Sequence, residues 1–192
     1  MKRNYFLKFG LAATAFLVAP FSLMAKTITK KRVAKGVLVK SRKDRNDKPI
    51  SLFEGDTFHT KVSTQDSEGD IYVFESTRIK EGGPSYHLHY EQDEFWYVLK
   101  GEFLFKVGDE EFIAKEGDSV FGPRMVPHAF SKLGEGEAKL LMFFQPAGRM
   151  EEVFIKISEG KTKGMTEEEM QAFRHEHGHK KVGPALQHLK KW

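Results

Sequence analysis

From about Val33 to Pro146 the apolar residues come in short runs broken by turn residues. The runs GVLV (36–39), TFHTKVST (57–64), IYVFESTRI (71–79), EFWYVLKG (94–101) and EFLFKV (102–107) have strand character. So do EEFIAK (110–115), DSVFG (118–122), HAFSKL (128–133) and AKLLMFFQPA (138–147). Between them stand DSEGD, KEGGPS, VGDE, KEGD and LGEGE. Many short strands with frequent turn signals predict an all-β sandwich or barrel. FKVGDEEF reads as a tight hairpin, because Gly108 and Asp109 tolerate positive φ.

After Pro146 the period changes. In GRMEEVFIKISEG (148–160), Met150, Val153, Phe154 and Ile157 fall on one face of a short amphipathic helix. TEEEMQAFRHEHG (166–178) opens with Thr166 and has Glu169 three residues on, a capping box, and stops near Gly178. A length of 192 residues suits one domain with extensions. The expected organisation is a β domain over 49–147 and a helical C-terminal extension over 148–192.

Composition changes this picture mainly at the N-terminus. Hydrophobic residues make up 40% and charged residues 30%, an ordinary globular balance. Seventeen phenylalanines against 2 tryptophans and 5 tyrosines suit a sandwich or barrel interior. Residues 1–25 carry Lys2, Arg3 and Lys8 with no acid, then an apolar run containing Pro20 that ends in small residues around Ala25. That is the pattern of a signal peptide, which predicts a periplasmic or secreted protein. The alternative is an uncleaved anchor, for which a span wants about 20 apolar residues. Arg3 is followed by Asn4, so the general secretory route fits better than a twin-arginine one. The absence of cysteine excludes a lipoprotein anchor, a disulfide framework and a thiolate site.

The formal charge of the whole chain is +4, and three of those positive charges sit in residues 1–25. The mature chain is therefore near neutral, and no nucleic-acid partner is expected. The basic stretch 26–48 contains no aromatic residue, unlike a single-strand binder. It reads as a solvated arm leading into the domain, with no stable membrane partner once the signal is cleaved.

The chemistry concentrates in SYHLHYEQDEFWYVLKGE, residues 85–102. In a strand, His87 and His89 point the same way. The four residues YEQD then allow a bend, after which Glu94, Trp96 and Val98 share one face of the next strand. If that face is the interior, two imidazoles and a carboxylate converge in an apolar space. An unpaired buried carboxylate is costly, and a divalent cation removes the cost. His128, between Pro127 and a strand-like run, supplies a third imidazole. Three histidines and one glutamate make a four-ligand set for Fe, Mn, Ni, Cu or Zn.

These residues resemble the two motifs of the cupin superfamily. The first is matched by His87, His89, Glu94 and Gly101, with its leading glycine displaced from Glu81 to Gly82. The second is matched by Gly117, Pro123 and His128, with Met125 where the family has glycine and Lys132 where it has asparagine. The resemblance covers roughly residues 50–147. It implies an antiparallel jelly-roll barrel holding one divalent transition metal on His87, His89, Glu94 and His128. The PHAF segment, the PAG turn and the terminal GPAL (183–186) look most like the single-domain, quercetin dioxygenase-like branch. A homodimer is a further implication of the resemblance.

Two kinds of function stay open. One is a metal-dependent dioxygenase acting on a small phenolic or enol-type substrate, with Glu94 as ligand or general base, or an isomerase or lyase on the same metal. The other is an exported binding protein for a sugar or other small molecule. A degenerate site, whose histidines only hydrogen-bond to each other and to Glu94, is the structural alternative to both. Three further features are weaker. His175, His177 and His179 read as a solvated tail, and His59 as a surface or satisfied histidine. Arg124 either meets an anionic substrate or pairs with a neighbouring acid.

Overall fold

The computed structural model describes residues 32–52 and 56–188. The segment expected to be a signal peptide, the start of the basic arm and the last four residues lie outside that set. The β domain consists of β1 (Asp56–Val62), β2 (Tyr72–Arg78), β3 (Ser85–His89), β4 (Asp93–Lys100), β5 (Glu102–Val107) and β6 (Glu110–Lys115). It continues through β7 (Ser119–Gly122), β8 (His128–Leu133) and β9 (Ala138–Gln145). Two helices follow, α1 (Met150–Ser158) and α2 (Glu167–Glu176), and then β10 (His179–Ala185).

The strands form two antiparallel sheets, ordered β1-β2-β9-β4-β7 and β10-β3-β8-β5-β6. Along β2, β4 and β9 buried residues alternate with more exposed ones, as a two-sheet core requires. Phe74, Trp96, Val98, Leu140 and Phe144 point inward from the first sheet, and Phe103, Phe105 and Phe130 from the second. Aromatic rings carry much of the packing. Phe58 lies 4.6 Å from Phe74, and Trp96 lies 5.4 Å from Phe105.

Gly101 marks the place where the chain leaves one sheet for the other, between β4 and β5. Its φ is +83°, and a Cβ there would come within 2.7 Å of the Ala138 Cβ. The β5–β6 hairpin turns at Gly108 and Asp109 as predicted, with Val107 opposite Glu110.

The run GVLV is not a strand. Residues 36–39 are irregular, with Leu38 84% exposed, because no sheet edge lies alongside to pair with them. The arm docks on either side of this run: the Val33 N–H donates to the Asp66 carbonyl, and buried Asp44 accepts hydrogen bonds from the Thr60, Asn46 and Lys48 backbone N–H groups. The C-terminal extension also differs from expectation. After the two helices the chain returns as β10 and pairs with β3, with His179 opposite His89 and Lys181 opposite His87. HKKVGPA lacks the apolar alternation of a half-buried strand, so periodicity does not find it.

The helices form as their patterns predict. In α2 the Thr166 hydroxyl accepts from the Glu169 N–H, and the Glu169 carboxylate accepts from the Thr166 N–H. In α1, Met150 and Val153 enter the core, and Phe154 stands edge-on to Phe58 at 5.3 Å.

Asp56 and Arg78 face each other across the β1–β2 ladder and form a buried ion pair, Nη1 to Oδ2 at 2.5 Å. The other Asp56 oxygen, Oδ1, has no hydrogen-bond partner. Burial pushes the Asp56 carboxyl up from 3.8 to about 6, and the Arg78 charge offsets only part of that rise.

Two predictions follow from this packing. Gly101→Ala should destabilise the fold by about 1–3 kcal/mol, from positive φ and overpacking together, read as a shift in the urea unfolding midpoint. The fold also binds a proton on Asp56 more readily than the unfolded chain does. That contribution to stability is complete below about pH 3.8 and is lost as the pH rises through about 6. Asp56→Asn should therefore flatten the stability–pH curve between about pH 4 and 6, and an unaltered slope in the variant would refute the assignment.

Candidate metal centre

Two adjacent strands and one facing strand build the site. β3 carries His87 and His89 on one face, and β8 lies beside it with His128 directly opposite His87. Glu94 comes from β4 in the other sheet and faces them across the interior. One ligand atom from each of His87, His89, Glu94 and His128 lies within 4.8 Å of all the others. His89 and His128 are 0% exposed and Glu94 3%, while His87 is half-buried. The candidate residues from both sequence motifs thus meet in one place.

The hydrogen bonds around the cluster fix where the lone pairs point. His87 Nδ1 is 2.7 Å from the Ser85 carbonyl, and His128 Nδ1 is 3.0 Å from the Val126 carbonyl. A carbonyl can only accept, so both Nδ1 atoms carry a proton, which leaves Nε2 of each ring free to bond a ligand when the ring is neutral. His128 Nε2 is 3.1 Å from Glu94 Oε2. His89 Nε2 stands 3.3 Å from the same oxygen, and neither of its ring nitrogens has a hydrogen-bond partner.

Acceptors aimed at one another in a dry interior repel unless a cation or proton lies between them. Donors bound to one ion at about 2.1 Å in adjacent positions are themselves about 3 Å apart, close to the spacing observed. The donor set therefore fits a divalent transition metal, with its imidazoles oriented by backbone carbonyls.

Electrostatics agree with that fit. Burial pushes the His87 imidazole well below its ordinary value, and His128 and His89 push it further. His89 is lowered chiefly by burial. Both rings are therefore neutral, the form that binds metal. Burial alone would raise the Glu94 carboxyl, but hydrogen bonds donated by His128 and His89, and the positive charge of those rings when protonated, outweigh it and hold the group at about 2. The cluster combines neutral nitrogen donors with an ionised carboxylate.

A cavity of about 510 Å³ opens beside the cluster and is lined in part by His87 and Glu94. Its walls are largely apolar, with Phe130, Met142 and Phe144 from the sheets, Met150 and Phe154 from α1, and Phe173 from α2. Asp56, Arg78, Arg174, His179 and Lys181 are its charged or ionisable lining outside the cluster.

The weaker sequence candidates separate. Arg124 is tied to Asp93 through two guanidinium contacts and its own N–H, so it serves an acid neighbour and does not line the cavity. His59 sits on the opposite face of β1 from Phe58. The solvated-tail reading of the three C-terminal histidines holds only for His175, which is exposed. His177 is 1% exposed, its Nδ1 2.7 Å from the Phe173 carbonyl. His179 lines the cavity, and burial lowers its imidazole to about 3. His177 is buried and His179 half-buried where the chain folds back as β10 against β3, which the local sequence does not signal.

The departures from the motif also find physical places. Met125, standing where a glycine was expected, adopts φ +64° and is 59% exposed. The left-handed turn is kept and the side chain points to solvent. Lys132, in the asparagine position, is 1% exposed, and its ammonium donates to the Gly134 carbonyl. Gly82 and Lys132 form an isolated bridge that pins the segment before β3 to β8.

Comparison with known proteins bears on the same region. Residues 74–144 match the family model for the cupin domain. An uncharacterised protein of Methanocaldococcus jannaschii is 33% identical over 60 residues, which is 31% of this chain and 48% of that one. The matched stretch spans about half the length of that relative. Among solved structures, KdgF from Halomonas sp. aligns with a TM-score of 0.50 at 18% identity, over 58% of this chain and 94% of KdgF. An RmlC-like cupin from Shewanella frigidimarina aligns at 0.42 and 20% identity, over 52% and 84% of the two chains. The KdgF likeness is one of fold. Residues 74–144 match the cupin domain, and the two antiparallel sheets around the histidines and glutamate form a jelly roll of the cupin type.

Proposed function

We propose that this protein is a metal-dependent dioxygenase of the quercetin 2,3-dioxygenase-like kind, acting outside the cytoplasm on a small phenolic or enol-type substrate. The observation that carries the reading is the opening of the His87/His89/Glu94/His128 cluster into a largely apolar cavity of about 510 Å³. A bound divalent ion would supply Lewis acidity and a template for oxygen ligands.

The chain's own residues supply the rest. Phe130, Phe144 and Phe154 offer flat apolar walls for a ring. Met150 and Phe154 of α1 and Phe173 of α2 form part of the cavity wall. Glu94 is the carboxylate of the cluster, faces the cavity, and is ionised. It is placed to take the proton of a substrate hydroxyl. Both atoms of O₂ would enter the organic product, so no separate reductant is needed. The signal-peptide pattern of residues 1–25 supports the location.

Metal uptake is the first check. The purified protein should take up one divalent ion per chain by elemental analysis. His128→Ala or His89→Ala should weaken that binding more than about 100-fold, beyond the usual cost of losing a supporting partner. An excess of ion at about 100 times its dissociation constant should stabilise the fold by about 2.7 kcal/mol. Turnover is the second check. Oxygen consumption across flavonols, catechols and diketones, with Fe-, Mn-, Ni-, Cu- and Zn-loaded protein, should show one O₂ consumed per substrate. Glu94→Ala should abolish it while the circular dichroism spectrum stays native. No uptake in any metal form would sink the dioxygenase reading, and ligand binding without turnover would point to a binding protein.

A further inference from the structure

β10 is a second source of polar groups for the cavity, one that the motifs do not include. Residues directly opposite in an antiparallel pair project to the same side of the sheet. His179 is opposite His89, and Lys181 is opposite His87. Both therefore lie on the face that carries the cluster, and both line the cavity. The His179 ring centroid is 5.8 Å from that of His89 and 6.5 Å from that of His87. That is too far to join the four donors, and near enough for one small ring to bridge.

The charge beyond His179 is unbalanced. Lys181 Nζ is 3.2 Å from Glu167 Oε1, and Arg174 Nη1 is 3.1 Å from the same oxygen. Two cations lining the cavity thus share one carboxylate, whose own side chain is 61% exposed. Among the described residues, no other ion pair of either cation is seen. Of these three charges one positive charge is left over, beside the His179 imidazole.

We propose that β10 is the anion-anchoring wall of this cavity. His179 and Lys181 hold the carboxylate of a small aromatic or enolic acid, whose other oxygens face the His87/His89/Glu94/His128 cluster. This rests on the reading of that cluster as a metal site, and it adds a substrate class: apolar ring compounds carrying an acid group across the ring from the metal-facing oxygens. Lys181 and His179 are then specificity residues, and Arg174 supports Lys181 by competing for Glu167.

Calorimetric titration of the Co(II)-loaded full-length protein tests this with two probes. Catechol and 3,4-dihydroxybenzoate present the same pair of oxygens, and only the second has a carboxylate. Wild-type protein should bind 3,4-dihydroxybenzoate at least about tenfold more tightly, the scale of one charge-assisted hydrogen bond. Lys181→Met and His179→Gln should each shrink that preference while leaving catechol affinity and cobalt stoichiometry unchanged. Glu167→Gln, at an exposed position, should enlarge it about 3- to 5-fold by freeing both cations. That variant also keeps the test decisive if Lys181→Met does not fold. Equal affinity for the two probes, no binding of either, or a preference untouched in all the variants overturns the proposal. Failure to load cobalt, measured separately, overturns the metal reading beneath it and the proposal with it.

Discussion

A buried carboxylate faces the ring nitrogens of two histidines between two β-sheets, and the rest of the structure is arranged around how those contacts are satisfied. Glu94 is almost fully buried, and its Oε2 lies within 3.3 Å of ring nitrogens of both His89 and His128. Backbone carbonyls hold the Nδ1 protons of His87 and His128. These rings therefore cannot turn to donate to the carboxylate without giving up those bonds. Burial holds His87 and His89 neutral. With neither a cation nor a proton between ring and carboxylate, the arrangement would cost several kcal/mol, in the range of a buried, poorly paired charge. A divalent ion turns each repulsive contact into a ligand bond.

Two sheets are needed to create this geometry. One strand pair can place His87 beside His128, as β3 and β8 do. It cannot place a carboxylate in front of them, because neighbouring side chains on one sheet face run parallel. Glu94 arrives from the opposite sheet, and its strand is held between β7 and β9. Trp96, two residues on, packs edge-on against His128 at 5.2 Å. Gly122 leaves room for that contact, since a Cβ there would come within 2.6 Å of the indole. The metal cluster and the aromatic core thus share walls, and displacement of Trp96 would disturb both.

Much of this was legible in the sequence because it is written in local rules. Alternation put His87 with His89 and Glu94 with Trp96 and Val98. Turn residues marked the strand ends, and the Thr166–Glu169 capping box marked the start of α2. The motif spacing brought in His128, which alternation alone cannot place near His87. The rest depended on long-range pairing. HKKVGPA has a helix-breaking, charge-rich composition, and it becomes a strand only because the β3 edge offers it a ladder. The placement of half-buried His179 on the cavity follows from that pairing and has no local signal. GVLV erred in the opposite sense. Its β-branched residues fit a strand, but no partner edge is near, and the residues stay exposed.

The C-terminal return ties stability and recognition to the same contacts. β10 satisfies the free edge of β3, the strand that carries two of the four donors, and so limits how far His87 and His89 can move. The same strand delivers His179 and Lys181 to the cavity, and α2 delivers Arg174 and Phe173. With a divalent ion bound, three neutral imidazoles and one carboxylate leave the cluster with a net positive charge. The shared Glu167 leaves a second positive charge on Lys181 and Arg174. A largely apolar cavity between two such charges screens them poorly. It therefore favours a ligand with negative character at both ends and an apolar middle. A neutral ligand of the same size would fill the same space without relieving either charge.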